Sequence, residues 1–289
     1  MDRTQAKRSP SPQPGPSLSG WTVLITRPAE NAEPVLNAFR QAGVAAVLTP
    51  AIEFSSLVDE NRERLDSLLR RLRADDGWLV LPSPTAIRAL FEVLGSPGQG
   101  PDPLGSIRLA TIGAGSARAL ASHGRRPEFE SPRPAGAALA QALPAKPGEP
   151  VGIVGSAQSR PELRQGLAAR GLSVEFVPIY ETIPSPSGLA GLHCRLEQLC
   201  RARGGSLEKP KAILLVSSPS AVDAIAESTI NVKGLLEGVI WVAIGPTTRQ
   251  RLEWLSLANG AVIESASPET EMLVQAAREA VAAAEARPS

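Results

Sequence analysis

Short apolar runs alternate along the chain with segments whose apolar residues recur at helical spacing. The run VLIT is followed by a helical pattern over residues 34–42 that stops at Gly43, and LVLPSP is followed by one over 85–94. A third pair joins ATIGAGS to residues 117–122. Strands that alternate with helices are typical of parallel sheets covered by helices on both faces. The pattern therefore predicts an α/β fold with doubly wound sheets.

The pattern occurs twice. Residues 21–54 align with residues 149–182 at an offset of 128, so that Gly43 meets Gly171. Three further elements recur in the same order at offsets of 132 to 135, which chance similarity would not preserve. We interpret the chain as a duplication of one small α/β domain, in keeping with its 289 residues. The further elements are 78–90 with 213–225, 107–120 with 239–252, and 130–142 with 264–276.

Several segments fall outside the repeat. Residues 1–19 contain four prolines and a basic start, and they predict a disordered tail. Residues 96–106 and 185–210 are rich in Gly, Pro and Ser, which predicts loops, with an exposed connector at 202–211. The last helix ends in an alanine-rich stretch, and we expect fraying over residues 279–289.

The composition of the chain argues against several classes of function and binding site. The 30 Lys and Arg residues nearly balance the 29 Asp and Glu residues, which argues against a nucleic-acid binder. Two histidines and two cysteines are too few for an ordinary zinc site or a disulfide scaffold, so we expect no metal. Cys194 and Cys200 are predicted to be reduced structural residues, with His193 as an incidental polar neighbour. No run of about 18 apolar residues occurs, so we expect a cytoplasmic protein without membrane contact.

The residues that follow the strands are mostly small or hydroxylated. Ligands bind beyond the carboxyl ends of the strands in open α/β sheets, and helix N-termini there favour anions. The same residues are also what ordinary helix capping requires, so a purely structural role stays open. A nucleotide is not indicated, because neither GxGxxG nor GK[ST] occurs at these turns. The positions are Thr26 to Pro28, Ser83 to Thr85, Gly113 to Ser116, Gly155 with Ser156, Ser217 to Ser220, and Gly245 to Thr248.

Tyr180 is the single tyrosine of the chain, and its counterpart in the first copy is Ile52. One interpretation is an amphipathic residue of a half-buried strand, with its hydroxyl at the rim. The other is an acid or hydrogen-bond donor that faces the ligand. The chain offers no credible Ser/His/Asp or Cys/His arrangement, and His123 is expected at the surface.

Seven motifs in a fixed order resemble the uroporphyrinogen-III synthase family. The resemblance covers the chain from about Val23 to about Ala277. Each motif is weak alone, whereas VPIYET followed by a Ser-Pro-Ser and by IGPTT is specific. The motifs are ITRP, SPTAI, IGAGSARAL, VPIYET, SSPSAV, AIGPTTRQRL and SPETEMLVQA.

The resemblance implies two similar flavodoxin-like lobes joined by a two-stranded β ladder. It also implies that the first element is exchanged, so that residues 20–49 join residues 184–278 in the first lobe. The second lobe would be residues 55–175, and the ladder would consist of residues 50–54 and 176–183.

The resemblance further implies a lyase that cyclises hydroxymethylbilane, a linear tetrapyrrole, to uroporphyrinogen III with D-ring inversion and loss of water. Such an enzyme serves heme, siroheme and cobalamin formation, uses no cofactor, and is expected to be a monomer that transiently contacts hydroxymethylbilane synthase. A catalytically inactive ligand sensor with the same fold is the first alternative. A two-lobed solute-binding protein is the second, although the missing export signal and the exchanged element speak against it.

The family pattern assigns roles to individual positions. Tyr180 and Thr248 are the implied catalytic residues, Tyr180 as hydrogen-bond donor to the departing oxygen. Substrate binding is expected to depend largely on backbone amides of the loops. The implied binding positions are Arg27, Ser83, Thr85, Gly113, Ser116, Ser156, Ser218, Ser220, Gly245 and Thr247.

Overall fold

The computed structural model describes residues 17–95, 102–201, 210–228, 233–258 and 262–286. Parts of the predicted tail, loops, connector and frayed end lie outside these residues, at 1–16, 96–101, 202–209 and 287–289. The described chain divides into two compact units. One contains the residues up to Glu53 and from Pro184 onward, and the other is Phe54–Ile183.

The described residues form eleven strands, ten α-helices and two short 3-10 helices, Ala29–Asn31 and Lys233–Leu236. The strands are β1 (Thr22–Ile25), β2 (Ala45–Leu48), β3 (Ile52–Ser56), β4 (Trp78–Leu81), β5 (Arg108–Thr111), β6 (Phe129–Glu130), β7 (Pro150–Ser156), β8 (Ser173–Pro184), β9 (Ala212–Val216), β10 (Ile240–Ala243) and β11 (Val262–Glu264). The helices are α1 (Glu33–Gln41), α2 (Val58–Ala74), α3 (Pro84–Leu94), α4 (Ala114–Ser122), α5 (Gly136–Ala142), α6 (Glu162–Ala169), α7 (Pro186–Arg201), α8 (Pro219–Ser228), α9 (Pro246–Trp254) and α10 (Thr270–Glu285).

The first unit is built on a sheet of order β11-β10-β9-β1-β2, in which every neighbouring pair is parallel. Successive side chains of β1 point to opposite faces, as in any strand. Leu24 packs with residues of α7 and α8, whereas Val23 and Ile25 pack with residues of α1 and α10. Helices therefore cover both faces of this sheet, which explains why its strands are apolar throughout.

The second unit contains a sheet of order β3-β8-β7-β4-β5-β6. Its five strands from β8 to β6 are parallel. Leu79 and Leu81 of β4 pack towards α2 and α3, while Trp78 and Val80 pack towards α5 and α6. The predicted α/β fold with parallel sheets is therefore confirmed.

The repeat relates the two sheets strand by strand. It matches β1 and β2 with β7 and β8, and it matches β9, β10 and β11 with β4, β5 and β6. With this matching the strand orders β2-β1-β9-β10-β11 and β8-β7-β4-β5-β6 coincide. The βαβ element that opens the first unit at the start of the chain therefore has its counterpart at the end of the second unit.

Two glycines end equivalent helices in the two units. Gly43 follows α1 and Gly171 follows α6, and each has a φ of +76°. Glycine adopts this left-handed conformation without the steric cost that a Cβ would add, so it is the usual residue after a helix. The predicted helix stop at Gly43 is confirmed.

The predicted loop at 185–210 is wrong over most of its described part, because residues 186–201 form the helix α7. Leu189, Leu192 and Leu196 recur on one face and are buried. Ser185 caps the helix, since its Oγ accepts a hydrogen bond from the Gly188 amide at 3.4 Å. Gly, Pro and Ser at the start of this segment are cap and first-turn residues, and their abundance hid the helical period.

Two further expectations at the chain ends need correction. The helix α10 continues to Glu285, and Ala280 and Val281 are buried, so the fraying predicted from residue 279 is wrong for residues 279–285. Packing against the sheet holds this end in place, which composition alone does not reveal. Leu18 is 4% exposed and belongs to the core cluster of Trp21, so the predicted disordered tail cannot extend to residue 18.

Candidate functional site

Tyr180 lies on β8 and its phenol meets a helix cap. The phenolic oxygen is 3.2 Å from Oγ of Ser83, the residue that follows β4 and precedes α3. The ring of Phe54 packs edge-on against the tyrosine ring, with centroids 5.4 Å apart. Tyr180 is 8% exposed and lies at the margin of the apolar core formed with α2 and α3. The structure therefore brings together two of the predicted residues, Tyr180 and Ser83.

This environment keeps the phenol protonated. Burial raises the pKa of Tyr180, and the hydrogen bond with Ser83 and the charge of Arg88 oppose that rise less strongly. A phenol ordinarily titrates near pH 10, so Tyr180 is neutral at physiological pH. Its chemical capacity is that of a hydrogen-bond donor or weak acid, rather than that of a base.

Serines cap the helices that follow two matched strands. Ser83 Oγ accepts a hydrogen bond from the Ala86 amide at 3.1 Å, and Ser218 Oγ accepts one from the Ala221 amide at 3.2 Å. Ser218 also pairs with the exposed Ser220, with 3.0 Å between the hydroxyl oxygens. The capping role that sequence reasoning left open is therefore present at both serines.

Thr85 lies in the first turn of α3. Its hydroxyl accepts a hydrogen bond of 3.4 Å from the Arg88 guanidinium, one turn further along the helix. Thr85 is half-buried, so a ligand at this turn would meet the threonine and the arginine together.

Glycines open the helices that follow the next pair of matched strands. Gly113 precedes α4 and Gly245 precedes α9, each with extended backbone and without a side-chain cap. A Cβ on Gly245 would meet nothing within 4 Å. The helix is therefore open at this end, and its first-turn amides and positive dipole are available to an anion. Thr247 is exposed beside these amides.

The two hydroxyl residues in the first turns of these helices are buried. Thr248 is 1% exposed and Ser116 is 4% exposed. The Ser116 hydroxyl approaches the carbonyl of Pro82 at 3.4 Å. Small hydroxyl residues suit these positions because the first helical turn packs directly over the strand ends. The predicted catalytic role of Thr248 and the predicted binding role of Ser116 therefore lack support from side-chain exposure.

Ser156 ends β7 and shapes a turn. Its hydroxyl accepts a hydrogen bond from the Gln158 amide at 3.2 Å and pairs with the Gln158 side chain at 2.8 Å. Gln158 in turn accepts a hydrogen bond from the Thr182 amide. Ser156 thus holds the loop in place, while its half-buried side chain stays at the surface of the unit.

Arg27 follows β1 in the first unit and is half-buried. Burial lowers the pKa of its guanidinium. Within the described part of the chain, Arg27 makes no hydrogen bond or ion pair. A guanidinium stays protonated at neutral pH, so its donors are free for an acidic ligand at the carboxyl end of β1.

Sequence reasoning missed a group of residues beyond the end of β7. Arg164 on α6 stacks on the ring of Phe176, with 4.5 Å between the guanidinium carbon and the ring centroid. Arg160 lies just before α6 and is exposed. The sequence held no usable signal for this group, because Arg160 precedes the helix and the contact of Arg164 is with Phe176 on β8.

The described residues contain no cluster of three or more His, Cys, Asp and Glu side chains arranged to hold a metal ion. Across the same parts of the chain, every helix is too short or too polar to cross a bilayer.

Sequence comparison places the chain in a family. The profile of uroporphyrinogen-III synthase HemD matches residues 34–275, which is most of the chain and spans both copies of the repeat. The chain belongs to the uroporphyrinogen-III synthase family. The resemblance of the seven motifs is thereby confirmed.

Two curated relatives agree with this uroporphyrinogen-III synthase assignment. The chain is 28% identical over 167 residues to the porphyrin biosynthesis protein HemD of Ruminiclostridium josui, which covers 57% of the chain and 32% of the relative. It is 26% identical over 171 residues to the uroporphyrinogen-III synthase of Synechococcus elongatus, which covers 57% of the chain and 62% of the relative. The matched region is thus less than two thirds of the length of either relative.

Solved structures of uroporphyrinogen-III synthases share the fold. A mutant enzyme from the extremely thermophilic bacterium Thermus thermophilus matches with a TM-score of 0.55 and 21% identity, covering 91% of this chain and 100% of that one. The enzyme from Helicobacter pylori 26695 matches with a TM-score of 0.57 and 16% identity, covering 90% and 99%. At these identities the likeness concerns the fold alone.

Proposed function

We propose that the chain catalyses the uroporphyrinogen-III synthase reaction, the cyclisation of hydroxymethylbilane to uroporphyrinogen III with inversion of the D ring. The observation that carries the proposal is the protonated, hydrogen-bonded phenol of Tyr180 in a chain of this family. A weak acid at this position suits a reaction that begins with the departure of a hydroxyl group as water.

In the proposed reaction, the Tyr180 phenol donates a hydrogen bond or a proton to the hydroxyl of the substrate while the carbon–oxygen bond breaks. Water leaves, and the substrate carries the positive charge as an azafulvene cation. The substituted carbon of the D ring attacks to give a spiro intermediate, which fragments and closes with the ring inverted. The final ring loses a proton as it becomes aromatic, and this proton replaces the one that Tyr180 gave to the departing hydroxyl, so the overall change is loss of one water. Ser83 orients the phenol and is a positioning residue.

The substrate carries eight carboxylates, and the open helix ends provide the matching positive potential. Gly113 and Gly245 leave first-turn amides available, and Thr247 stands exposed beside one of these ends. Arg27 adds a guanidinium without an acceptor in the described chain. A nearly neutral protein could therefore bind a polyanion through local dipoles and one cation.

The remaining predicted residues receive narrower roles. Ser218 and Ser156 shape the loops that present the amides, and Ser220 and Thr85 are candidates for direct carboxylate contact. Ser116 and Thr248 pack beneath the first helical turn and support the loops from below.

We further propose two similar flavodoxin-like lobes with an exchanged first element, residues 20–49 with 184–278 and residues 55–175. The ladder between them would be residues 50–54 and 176–183. The coinciding strand orders and the pairing of β3 with β8 support this arrangement. We also propose a cytoplasmic monomer that works without cofactor or metal and receives its unstable substrate by transient contact with hydroxymethylbilane synthase.

The decisive experiment supplies freshly made hydroxymethylbilane to the purified full chain and separates isomers I and III by chromatography after oxidation. Because the substrate closes unaided to isomer I, a protein-free reaction and a heat-denatured sample serve as controls. We expect isomer III to predominate with the native protein. Isomer I alone, together with measurable tetrapyrrole binding, would instead indicate the inactive ligand sensor.

A further inference from the structure

The second unit contains a cavity of about 460 Å³ that none of the proposed steps uses. It opens where the loops after β4 and β7 meet the first turns of α5 and α6. This volume lies within the range of about 300–1,000 Å³ that is typical of small-molecule pockets. The walls are largely apolar and include Pro82, Ile112, Ile153, Leu163 and Phe176.

The cavity lies on the opposite side of the sheet from Tyr180. Ile153 on β7 packs in the cluster with α5 and α6, whereas its neighbour Val154 packs in the cluster that contains Tyr180. The residues that follow β4 also divide between the two features. Pro82 lines the cavity, whereas the Ser83 hydroxyl is hydrogen-bonded to the Tyr180 phenol. The cavity and the phenol are therefore separate features of one unit.

The polar groups of the cavity favour a monoanion. Arg160, Glu162 and Arg164 line it, so two guanidiniums face one carboxylate. The guanidinium carbon of Arg164 lies over the Phe176 ring, 4.5 Å from its centroid. The Arg164 Nε is enclosed, whereas the two terminal nitrogens make no hydrogen bond or ion pair among the described residues. These terminal donors are therefore available to a ligand, and a carboxylate is a planar acceptor that fits a guanidinium.

We propose that this cavity binds a planar aromatic or heteroaromatic ring that carries a carboxylate. The ring lies against the apolar wall and the carboxylate takes the free donors of Arg164, with Arg160 at the opening. Two sources share this chemistry, a ring of the bound linear tetrapyrrole and a free single-ring acid. The proposal that the cavity binds such a ring does not rest on the proposed function. Only the assignment of that ring to the linear tetrapyrrole rests on the proposed function.

The test measures binding of pyrrole-2-carboxylate to the full chain by saturation-transfer NMR and calorimetry, with pyrrole-2-carboxamide as the neutral probe. We expect saturable binding of the acid and at least tenfold weaker binding of the amide. Arg164→Gln should weaken binding of the acid by about 10- to 100-fold, as expected for a lost charge-assisted hydrogen bond. Arg62→Gln, at an exposed arginine on α2 of the same unit, should leave binding unchanged.

A second variant tests the cavity without changing charge. Ala137→Phe places a ring in the cavity from the first turn of α5 and should abolish binding, whereas Ala142→Phe changes an exposed residue at the other end of that helix. Equal binding of acid and amide, or acid binding that survives both Arg164→Gln and Ala137→Phe, would overturn the proposal.

Turnover then distinguishes the sources. Competitive inhibition of isomer III formation by pyrrole-2-carboxylate assigns the cavity to a ring of the substrate, whereas binding that leaves turnover unchanged assigns it to a free acid. If no isomer III forms at all, the binding experiment still decides the proposal, and the failure concerns the proposed function alone. If isomer III forms and the acid does not bind, the function stands and the cavity proposal fails.

Discussion

The first unit has Ile52 in its core where the second unit has Tyr180, and the second unit has Gly155 where the first has Arg27. Both pairs occupy matching positions of the repeat. A Cβ on Gly155 would approach the Pro82 ring to 3.3 Å, so a larger side chain would disturb this strand end. One copy thus carries a cation and the other carries a phenol on the same scaffold.

The hydrogen bonds that fix the turns after β6 and β11, by contrast, are the same in both units. Ser131 and Ser265 are matched, buried, and form the same pair of bonds. Each amide donates to a strand carbonyl at 2.9 Å, and each hydroxyl donates to the carbonyl two residues later at 2.6 Å. The bonds that close these turns are thus the same in both copies, whereas the side chains of Arg27 and Tyr180, which cap no helix, differ from their counterparts.

The largest effect is expected at Gly188 in the first unit. A Cβ there would lie 1.9 Å from the Pro50 carbonyl oxygen, because α7 begins directly against this backbone. We expect Gly188→Ala to lower the free energy of unfolding by about 3 kcal/mol or more, at or beyond the usual range for overpacking. Urea denaturation followed by circular dichroism measures this loss.

Gly191 on the same helix provides the control. A Cβ there would meet nothing within 4 Å, so Gly191→Ala should raise stability by roughly 0.5–1 kcal/mol through helix propensity. Equal effects of the two substitutions would show that close packing against Pro50 does not govern the start of α7.

The next effect concerns the cation of the first unit. We expect Arg27→Gln to reduce kcat/KM for isomer III formation by about 10- to 100-fold, mainly through KM, if the guanidinium takes a substrate carboxylate. Stability should be unchanged or higher, because the substitution removes a half-buried charge without an acceptor in the described chain. Arg201→Gln, at an exposed pair on α7, is the matched control.

The outcome that contradicts this interpretation of Arg27 is a large loss of stability with unchanged kinetics. Such a result would make Arg27 a structural residue and remove it from the proposed carboxylate contacts.

How far the sequence predicts this molecule depends on the range of the interactions. Local sequence patterns are sufficient to predict the order of strands and helices, the repeat and the helix stop at Gly43. The helix α7 was missed because its cap and small first-turn residues imitate a loop. The burial of Thr248 and the stacking of Arg164 on Phe176 depend on contacts between elements distant in sequence, and residue type alone does not determine them.

A smaller effect is expected from the phenol of the second unit. Tyr180→Phe removes the donor and should lower the rate of isomer III formation severalfold, with circular dichroism and the urea midpoint nearly unchanged. Ser122→Ala removes a surface hydroxyl of the same unit, bonded to the Ala119 carbonyl, and should change neither quantity. An unchanged yield of isomer III in the Tyr180→Phe variant would remove Tyr180 from the reaction.

The smallest effect is the titration of Tyr180 itself, which is observable because the chain has a single tyrosine. Burial raises its pKa, so phenolate absorbance should appear at higher pH in the folded protein than in the urea-unfolded chain, which titrates near pH 10. The folded state then binds the proton more tightly, so stability is unaffected by this group below about pH 10 and falls as pH rises from there through the folded pKa. Since the Ser83 hydrogen bond lowers the pKa, Ser83→Ala should shift the folded titration to still higher pH. A folded titration at or below that of the unfolded chain would contradict a buried neutral phenol, and the contrast between Tyr180 and Ile52 would then concern packing alone.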